Sequence, residues 1–240
     1  MEKPWVSGPK ELLNHGLYHL YLGTDFDSRI AMISIDNSVE LMIKTYLGLP
    51  KRITKIEGLT RKKYEEIVSG FPSLIDGLEE YASDKLTGIE LGDIEWFHRV
   101  RNQLYHDGNG ITVEKGKVET YAEIAKILFE NLFDISFTEE DSGNHTSLIG
   151  EFIKKWAVFE GILLELSNLY LPSTTGRPPM MNIRALRDKN IFDDENFKLA
   201  EEVRALRNTT VHGMSNPSNA DLKEFNRKLD KLIQYVRQKK

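Results

Sequence analysis

The sequence predicts an all-α protein made of two tandem helical bundles. Apolar residues recur at helical spacing through most of the 240 residues, and one polar motif closes a predicted helix in each half. A hydrophobic content of 40%, with 10% aromatic residues, is enough to bury a core in one or two domains of this length. The predicted first domain covers residues 1–137, the linker 138–147 and the second domain 148–240.

In the first domain, the spacing of apolar residues predicts helices at 11–22, 29–47, 61–68, 73–81, 89–106 and about 119–133. Gly48 and Pro50 end the second of these, which carries a broad apolar face. Between the last two helices, two short runs of β-branched and charged residues flank Gly116. They predict a small β-hairpin within residues 111–119.

The linker has the sequence TEEDSGNHTS, which is polar and shows no apolar periodicity. Beyond it, helices are predicted at 148–170, 181–189, 194–212 and 220–237. Residues 38–50 and 158–172 resemble each other, because each is an apolar helix with an early acid, Glu40 or Glu160, that runs into a proline. The second domain is therefore predicted to be a divergent repeat of the first, which carries an insertion around 51–69.

The repeated motif is R-N-x-x-x-H, at Arg101-Asn102 with His106 and at Arg207-Asn208 with His212. With about 12 Arg and 6 His in 240 positions, chance predicts only about 0.3 Arg-x4-His pairs, even without the Asn. On a helix, Asn and His four residues apart lie about 40° from each other, whereas Arg and His differ by about 140°. Each Arg therefore either contacts an acid on a neighbouring helix or reaches round to a phosphate.

Glu40 and Glu160 are the candidate supporting acids for the first alternative, and the sequence leaves both alternatives open. His106 and His212 close their helices, where the helix dipole favours the imidazolium while the nearby Arg opposes it. Such a balance suits a proton-transfer group. RNA cleavage without metal needs one group to deprotonate the 2′-OH and another to protonate the leaving oxygen, so two motifs are expected to act together.

The duplicated motif within helical units resembles that of HEPN domains, and the resemblance is best over residues 182–213. It implies two HEPN-like bundles forming a pseudo-dimer, with a homodimer as a further arrangement. It also implies a metal-independent endoribonuclease with a composite site, in a toxin, RNA-processing or antiviral defence role, with RNA as substrate and an antitoxin or other regulatory protein as partner. The catalytic residues would be Arg101, Asn102, His106, Arg207, Asn208 and His212. The alternatives are a non-catalytic scaffold that binds RNA or a nucleotide, and a helical protein-interaction module.

The charge and composition of the chain exclude several classes of function. A net charge of −5 argues against a general polyanion binder, so any RNA contact is expected to be local and helped by cations such as Arg99 and Arg204. The chain has no cysteine, no glycine-rich phosphate loop and no long apolar segment, so no cofactor, no metal, no membrane contact and a cytoplasmic location are expected. His15 and His19 have metal-compatible spacing, but without a third ligand they are expected to be surface or interface histidines.

Overall fold

The computed structural model describes residues 3–106, 112–138, 147–171, 179–212 and 217–240. Within these ranges every regular element is a helix, which confirms the predicted all-α class. The chain divides into two compact units, Met1–His145 and Thr146–Lys240. The division falls inside the predicted linker, but residues 139–146 lie outside the described residues, so the linker itself stays a prediction.

The described part of the first unit contains seven α-helices and two short 3-10 helices, Pro4–Val6 and Ser83–Lys85. The α-helices are α1 Ser7–Leu22, α2 Asp25–Gly48, α3 Lys51–Thr54, α4 Arg61–Ile67, α5 Phe71–Ala82, α6 Leu91–His106 and α7 Lys115–Phe133. α2 is the centre of this unit, because α1, α5, α6 and α7 all pack against it. The predicted insertion at 51–69 corresponds to α3 and α4.

α1 and α2 form a closely packed helical hairpin. Thr24 caps α2 by accepting a hydrogen bond from the backbone N–H of Asp27, and Gly23, with φ of 77°, ends α1. The helices approach so closely at Gly16 that a Cβ atom there would lie 2.7 Å from Ile35 Cγ1. A continuous face of α2 is fully buried through Ala31, Met32, Ile35, Val39, Met42 and Ile43.

The β-hairpin predicted within residues 111–119 is wrong. Residues 112–114 have no regular structure, Ile111 lies outside the described residues, and Lys115 already begins α7. Gly116 is in the first turn of that helix, where its carbonyl accepts a hydrogen bond from the Thr120 hydroxyl. Val118 is fully buried at helical spacing from Tyr121 and Ala122, so burial of a helical face overrides the local β propensity.

The described part of the second unit contains α8 Leu148–Tyr170, α9 Pro179–Asp188, α10 Asp194–Val211 and α11 Asn219–Lys239. α8 packs against α11 and α9, and α10 packs against α11 and α9. Ser147 caps α8, Asp193 caps α10, and Ser218 with Asp221 forms a capping box on α11. In neither unit does a described helix combine the length and the apolar character needed to span a bilayer.

Candidate functional site

α6 carries the first motif and is anchored by one apolar face. Ile94 and Phe97 are fully buried, and Leu104 is nearly so, which directs the remaining faces of the helix toward polar surroundings. His98 lies on one of these faces, stacked parallel to Phe71 with ring centres 3.5 Å apart. The helix ends at His106, which is exposed and contacts the ring of Tyr105 edge-on.

The Arg101 guanidinium points into the first unit rather than toward solvent. Its Nε donates to Asp36 Oδ2 at 2.8 Å, one terminal nitrogen donates to Asn102 Oδ1 at 2.9 Å, and the other to Asn37 Oδ1 at 2.9 Å. Glu40 Oε2 lies 3.6 Å from this last nitrogen. The side chain is only 16% exposed. Of the two roles left open by the sequence, this geometry fits the brace and not the phosphate fork.

Asp36 is the acid that holds Arg101, and the sequence analysis did not select it. The side chain is completely buried, and each carboxylate oxygen accepts hydrogen bonds: Oδ1 from the Tyr121 hydroxyl at 2.8 Å, Oδ2 from Arg101 and from His98 Nδ1 at 2.9 Å. Burial and the Asp36 carboxylate raise the pKa of Tyr121 well above its ordinary value. The predicted acid Glu40 lies one turn further along α2 and is the secondary partner.

The hydrogen bond from Arg101 also orients Asn102. Because Asn102 Oδ1 accepts from the guanidinium, the donor side of its amide faces away from Arg101. Asn102 is half-buried, and His106, four residues later, projects from the same side of α6. The exposed Arg99 stands three residues before Asn102 and seven before His106 and therefore shares that side. We call Arg99, Asn102 and His106 the first stripe.

A shallow pocket adjoins the first stripe. Its volume is about 320 Å³, and Trp96, Arg99, Gln103, Leu104 and Lys117 are among the residues that line it. The lining contains two cations and no acid. Arg99 makes no ion pair with any described residue, whereas Lys117 pairs with Glu114 at 3.6 Å. Arg99 is therefore the cation beside the motif that is available to an external anion.

In the second motif the Arg also donates a hydrogen bond to the adjacent Asn, and this Arg is more deeply buried than Arg101. Arg207 is 1% exposed and donates from Nη1 to Asn208 Oδ1 over a long 3.5 Å. Asn208 is half-buried on α10. His212 is half-buried and caps the C-terminus of that helix, with its backbone N–H donating to the Asn208 carbonyl. Glu160 is buried on α8, at 7% exposure.

A second stripe can be defined in the same way. Arg204 is exposed on α10, four residues before Asn208, which is itself four residues before His212. These three side chains therefore project within about 80° of one another. Arg204 makes no ion pair with any described residue. Each unit thus pairs an enclosed motif Arg with a separate exposed Arg on the side of its Asn and His.

The two units differ in what surrounds the motif Arg. When Glu40 is aligned with Glu160, the position of Asp36 is occupied by Trp156, which is 1% exposed. When Arg101 is aligned with Arg207, the position of His98 is occupied by Arg204. At these positions the second unit therefore has neither the acid that holds Arg101 nor the histidine that contacts this acid in the first unit. Among the described residues, no group of three or more His, Asp or Glu side chains is placed to hold a metal ion.

No protein family model, no curated protein and no solved structure matches this chain. The resemblance to HEPN domains therefore stays a prediction that depends on the two motifs.

Proposed function

We propose that this protein is a metal-independent endoribonuclease whose two stripes, Arg99–Asn102–His106 and Arg204–Asn208–His212, bind and cleave RNA. The observation that supports the proposal most is the same in both units. Each motif Arg donates to its neighbouring Asn, and a second, exposed Arg stands on the side of that Asn and of the His. A cation, an amide donor and an imidazole on one side of a helix match the needs of phosphodiester transesterification.

The roles follow from the chemistry of each group. His106 and His212 transfer protons, one from the attacking 2′-OH and the other to the departing 5′-oxygen. Asn102 and Asn208 donate hydrogen bonds to the phosphorane, and Arg99 and Arg204 hold the phosphate charge. Because the nucleophile is the 2′-OH of the same nucleotide, the products carry a 2′,3′-cyclic phosphate and a 5′-hydroxyl.

The motif arginines have a different role in this proposal. Arg101 has acceptors on all three guanidinium nitrogens, and Arg207 is almost completely buried. Both therefore orient the adjacent Asn rather than contact the substrate. Of the two alternatives that the sequence leaves open, the proposal adopts the one in which the motif Arg braces the site, and this role can be tested separately from catalysis.

A second function, RNA binding without cleavage, is favoured by one specific observation. Arg101 and Arg207 are largely buried, so neither adds positive charge to the surface that carries its motif. The chain as a whole has a net charge of −5. A single exposed Arg per stripe holds a phosphate but gives a phosphorane less charge stabilisation than two would. If the stripes bind RNA without cleaving it, the protein is a scaffold for RNA or for a regulatory partner protein.

Cleavage of a 5′-labelled single-stranded RNA in excess chelator tests the proposal. We expect cleavage by the wild-type protein, and a loss of about 10²-fold or more in each of His106→Ala and His212→Ala, with RNA binding changed by no more than a few-fold. Binding without cleavage at every RNA tested would favour the scaffold. Cleavage that survives both replacements would refute the role of the histidines.

The melting temperature of each variant must be measured alongside. A histidine at a helix C-terminus can contribute up to about 2 kcal/mol of stability through the helix dipole, so loss of activity through unfolding would imitate loss of a catalytic group. Gly16→Ala is the control for structural damage, because its added Cβ atom would lie 2.7 Å from Ile35 Cγ1 in the hairpin of α1 and α2 and changes no residue of either stripe.

A further inference from the structure

The hairpin of α1 and α2 carries a pair of histidines outside both stripes. His15 and His19 stand one turn apart on α1, and their ring centres are 4.8 Å apart. His15 is exposed, and the side chain of His19 is 19% exposed. The spacing alone did not predict a metal site, because no third ligand accompanies the two histidines. The hydrogen bonds of the two rings are a second, independent observation on the pair.

Both rings use the same nitrogen to contact the same neighbouring helix. His15 Nδ1 lies 3.0 Å from the Ser34 hydroxyl, and His19 Nδ1 lies 2.8 Å from Asp27 Oδ1, with Ser34 and Asp27 both on α2. The two nitrogens of an imidazole bond in widely divergent directions. Because each Nδ1 is bonded to α2, each Nε2 atom is directed away from α2.

Asp27 is itself held in place. Its second carboxylate oxygen accepts a hydrogen bond from the Thr24 hydroxyl, and its backbone N–H donates to the same hydroxyl. A carboxylate on the far nitrogen of a histidine fixes the tautomer and raises the basicity of the other nitrogen, which is the usual outer-shell arrangement of histidine metal ligands.

The distance between the rings fits chelation. With metal–nitrogen distances of about 2.1 Å and angles between square-planar and tetrahedral, two imidazoles on one ion have ring centres about 4.5 to 5.3 Å apart. The observed separation is 4.8 Å. No third His, Asp or Glu among the described residues is placed to join the pair, so water completes the coordination sphere.

We propose that His15 and His19 chelate a divalent transition-metal ion through their Nε2 atoms, with Cu²⁺ bound most tightly. Imidazole suits Cu²⁺, Ni²⁺ and Zn²⁺, and Cu²⁺ stands highest in the general order of affinities. Asp27 and Ser34 are positioning residues that orient the two ligands. The site shares no residue with either stripe, so it goes beyond the proposed function, and RNA cleavage in chelator neither supports nor refutes it.

Titration of the metal-free full chain with Cu²⁺, in a buffer with glycine as a weak competitor, tests the proposal. We expect one equivalent to bind with an electron paramagnetic resonance signal split by two imidazole nitrogens. His15→Ala and His19→Ala should each weaken binding at least 10-fold and lose the two-nitrogen splitting. Asp27→Asn should weaken binding by about 10- to 100-fold. His106→Ala, which removes an exposed histidine elsewhere, should leave binding unchanged within about two-fold.

Circular dichroism and the melting temperature establish that each variant is folded. Because Asp27 also bonds to the Thr24 cap, Ser34→Ala provides a second test of orientation, with a weakening of a few-fold through His15 alone. The proposal is overturned if the double variant His15→Ala/His19→Ala binds Cu²⁺ as tightly as the wild-type protein does. It is equally overturned if His106→Ala removes as much binding as His15→Ala.

Discussion

Removal of the Asp36 carboxylate should destabilise the first unit more than any other single change on the polar side of α2. Asp36 is fully buried and accepts hydrogen bonds from Tyr121, Arg101 and His98. In Asp36→Ala, three donors lose their acceptor, and one of them is a cation that is only 16% exposed. Breaking a buried ion pair by removing one partner costs about 3 to 5 kcal/mol.

The lower half of that range is expected here. Arg101 keeps two amide acceptors, Asn37 and Asn102, and retains Glu40 at 3.6 Å, so its charge is not left without compensation. The buried Tyr121 hydroxyl adds about 1 to 3 kcal/mol when it loses its acceptor, but the two losses share one carboxylate and do not add in full. We therefore expect a destabilisation of about 3 to 4 kcal/mol.

Hydrogen exchange of the full chain, followed by mass spectrometry, measures this loss locally. Amides of α2 and α7 that exchange by opening of the first unit should exchange about 10²- to 10³-fold faster in Asp36→Ala, since 1.4 kcal/mol corresponds to a factor of ten. Amides of α8 and α11 are the internal reference. Asp76→Ala removes an exposed acid from α5 and should change protection by no more than about 0.5 kcal/mol.

A loss below about 1 kcal/mol in folded Asp36→Ala would show that Asp36 does not hold Arg101, because removing a buried carboxylate that pairs with an arginine costs more than that. The same result would undermine the bracing role assigned to Arg101. Tyr121→Phe, which removes one of the three hydrogen bonds and no charge, should cost less than Asp36→Ala.

Three further outcomes test other parts of the account. Gly16→Ala should destabilise by about 1 to 3 kcal/mol in urea denaturation, because its Cβ atom would meet α2, whereas Gly92→Ala, which meets nothing within 4 Å, should be neutral or stabilising. The pKa of Tyr121 is raised in the folded state, so the folded chain keeps this proton at a pH where the unfolded chain loses it. The free energy of unfolding should therefore be unchanged below about pH 10 and fall above it by up to about 1.4 kcal/mol per pH unit. In Tyr121→Phe, the free energy of unfolding should fall less steeply above that pH. Arg99→Glu should weaken binding of single-stranded RNA and reduce the salt dependence by about 0.7 in the log–log slope, whereas Arg237→Glu, an exposed arginine on α11, should do neither.

Much of the fold could be predicted because it depends on local periodicity. Among the described residues, the apolar pattern located every helix of ten or more residues, and all the predicted ends fall within four residues of the observed ones. The hairpin prediction failed because residues 111–119 contain β-branched side chains and a glycine but too little sequence to show a helical period. Burial of Val118 against the rest of the first unit, which no local pattern records, decides the conformation there.

The site was predictable only where its residues are close in sequence. Arg101, Asn102 and His106 form a motif that can be read directly, and the repeat at Arg207 drew attention to it. Asp36 lies 65 residues from Arg101 and was missed, because its contacts arise only when α2 and α6 pack. One signal was available: a charged residue in the middle of a long helix with a broad apolar face usually has a buried partner.

RNA cleavage by the two histidines is tested by the initial rate at which 2′,3′-cyclic phosphate ends form from one defined RNA in excess chelator. The rate is compared among the wild-type protein, His106→Ala, His212→Ala and the double variant, all shown to be folded. If the two histidines serve one reaction, the double variant should be about as slow as the slower single variant, because groups that act as one catalytic unit are non-additive. Cyclic ends that form at the wild-type rate in the double variant, or that disappear from the wild-type reaction when chelator is added, would contradict the account.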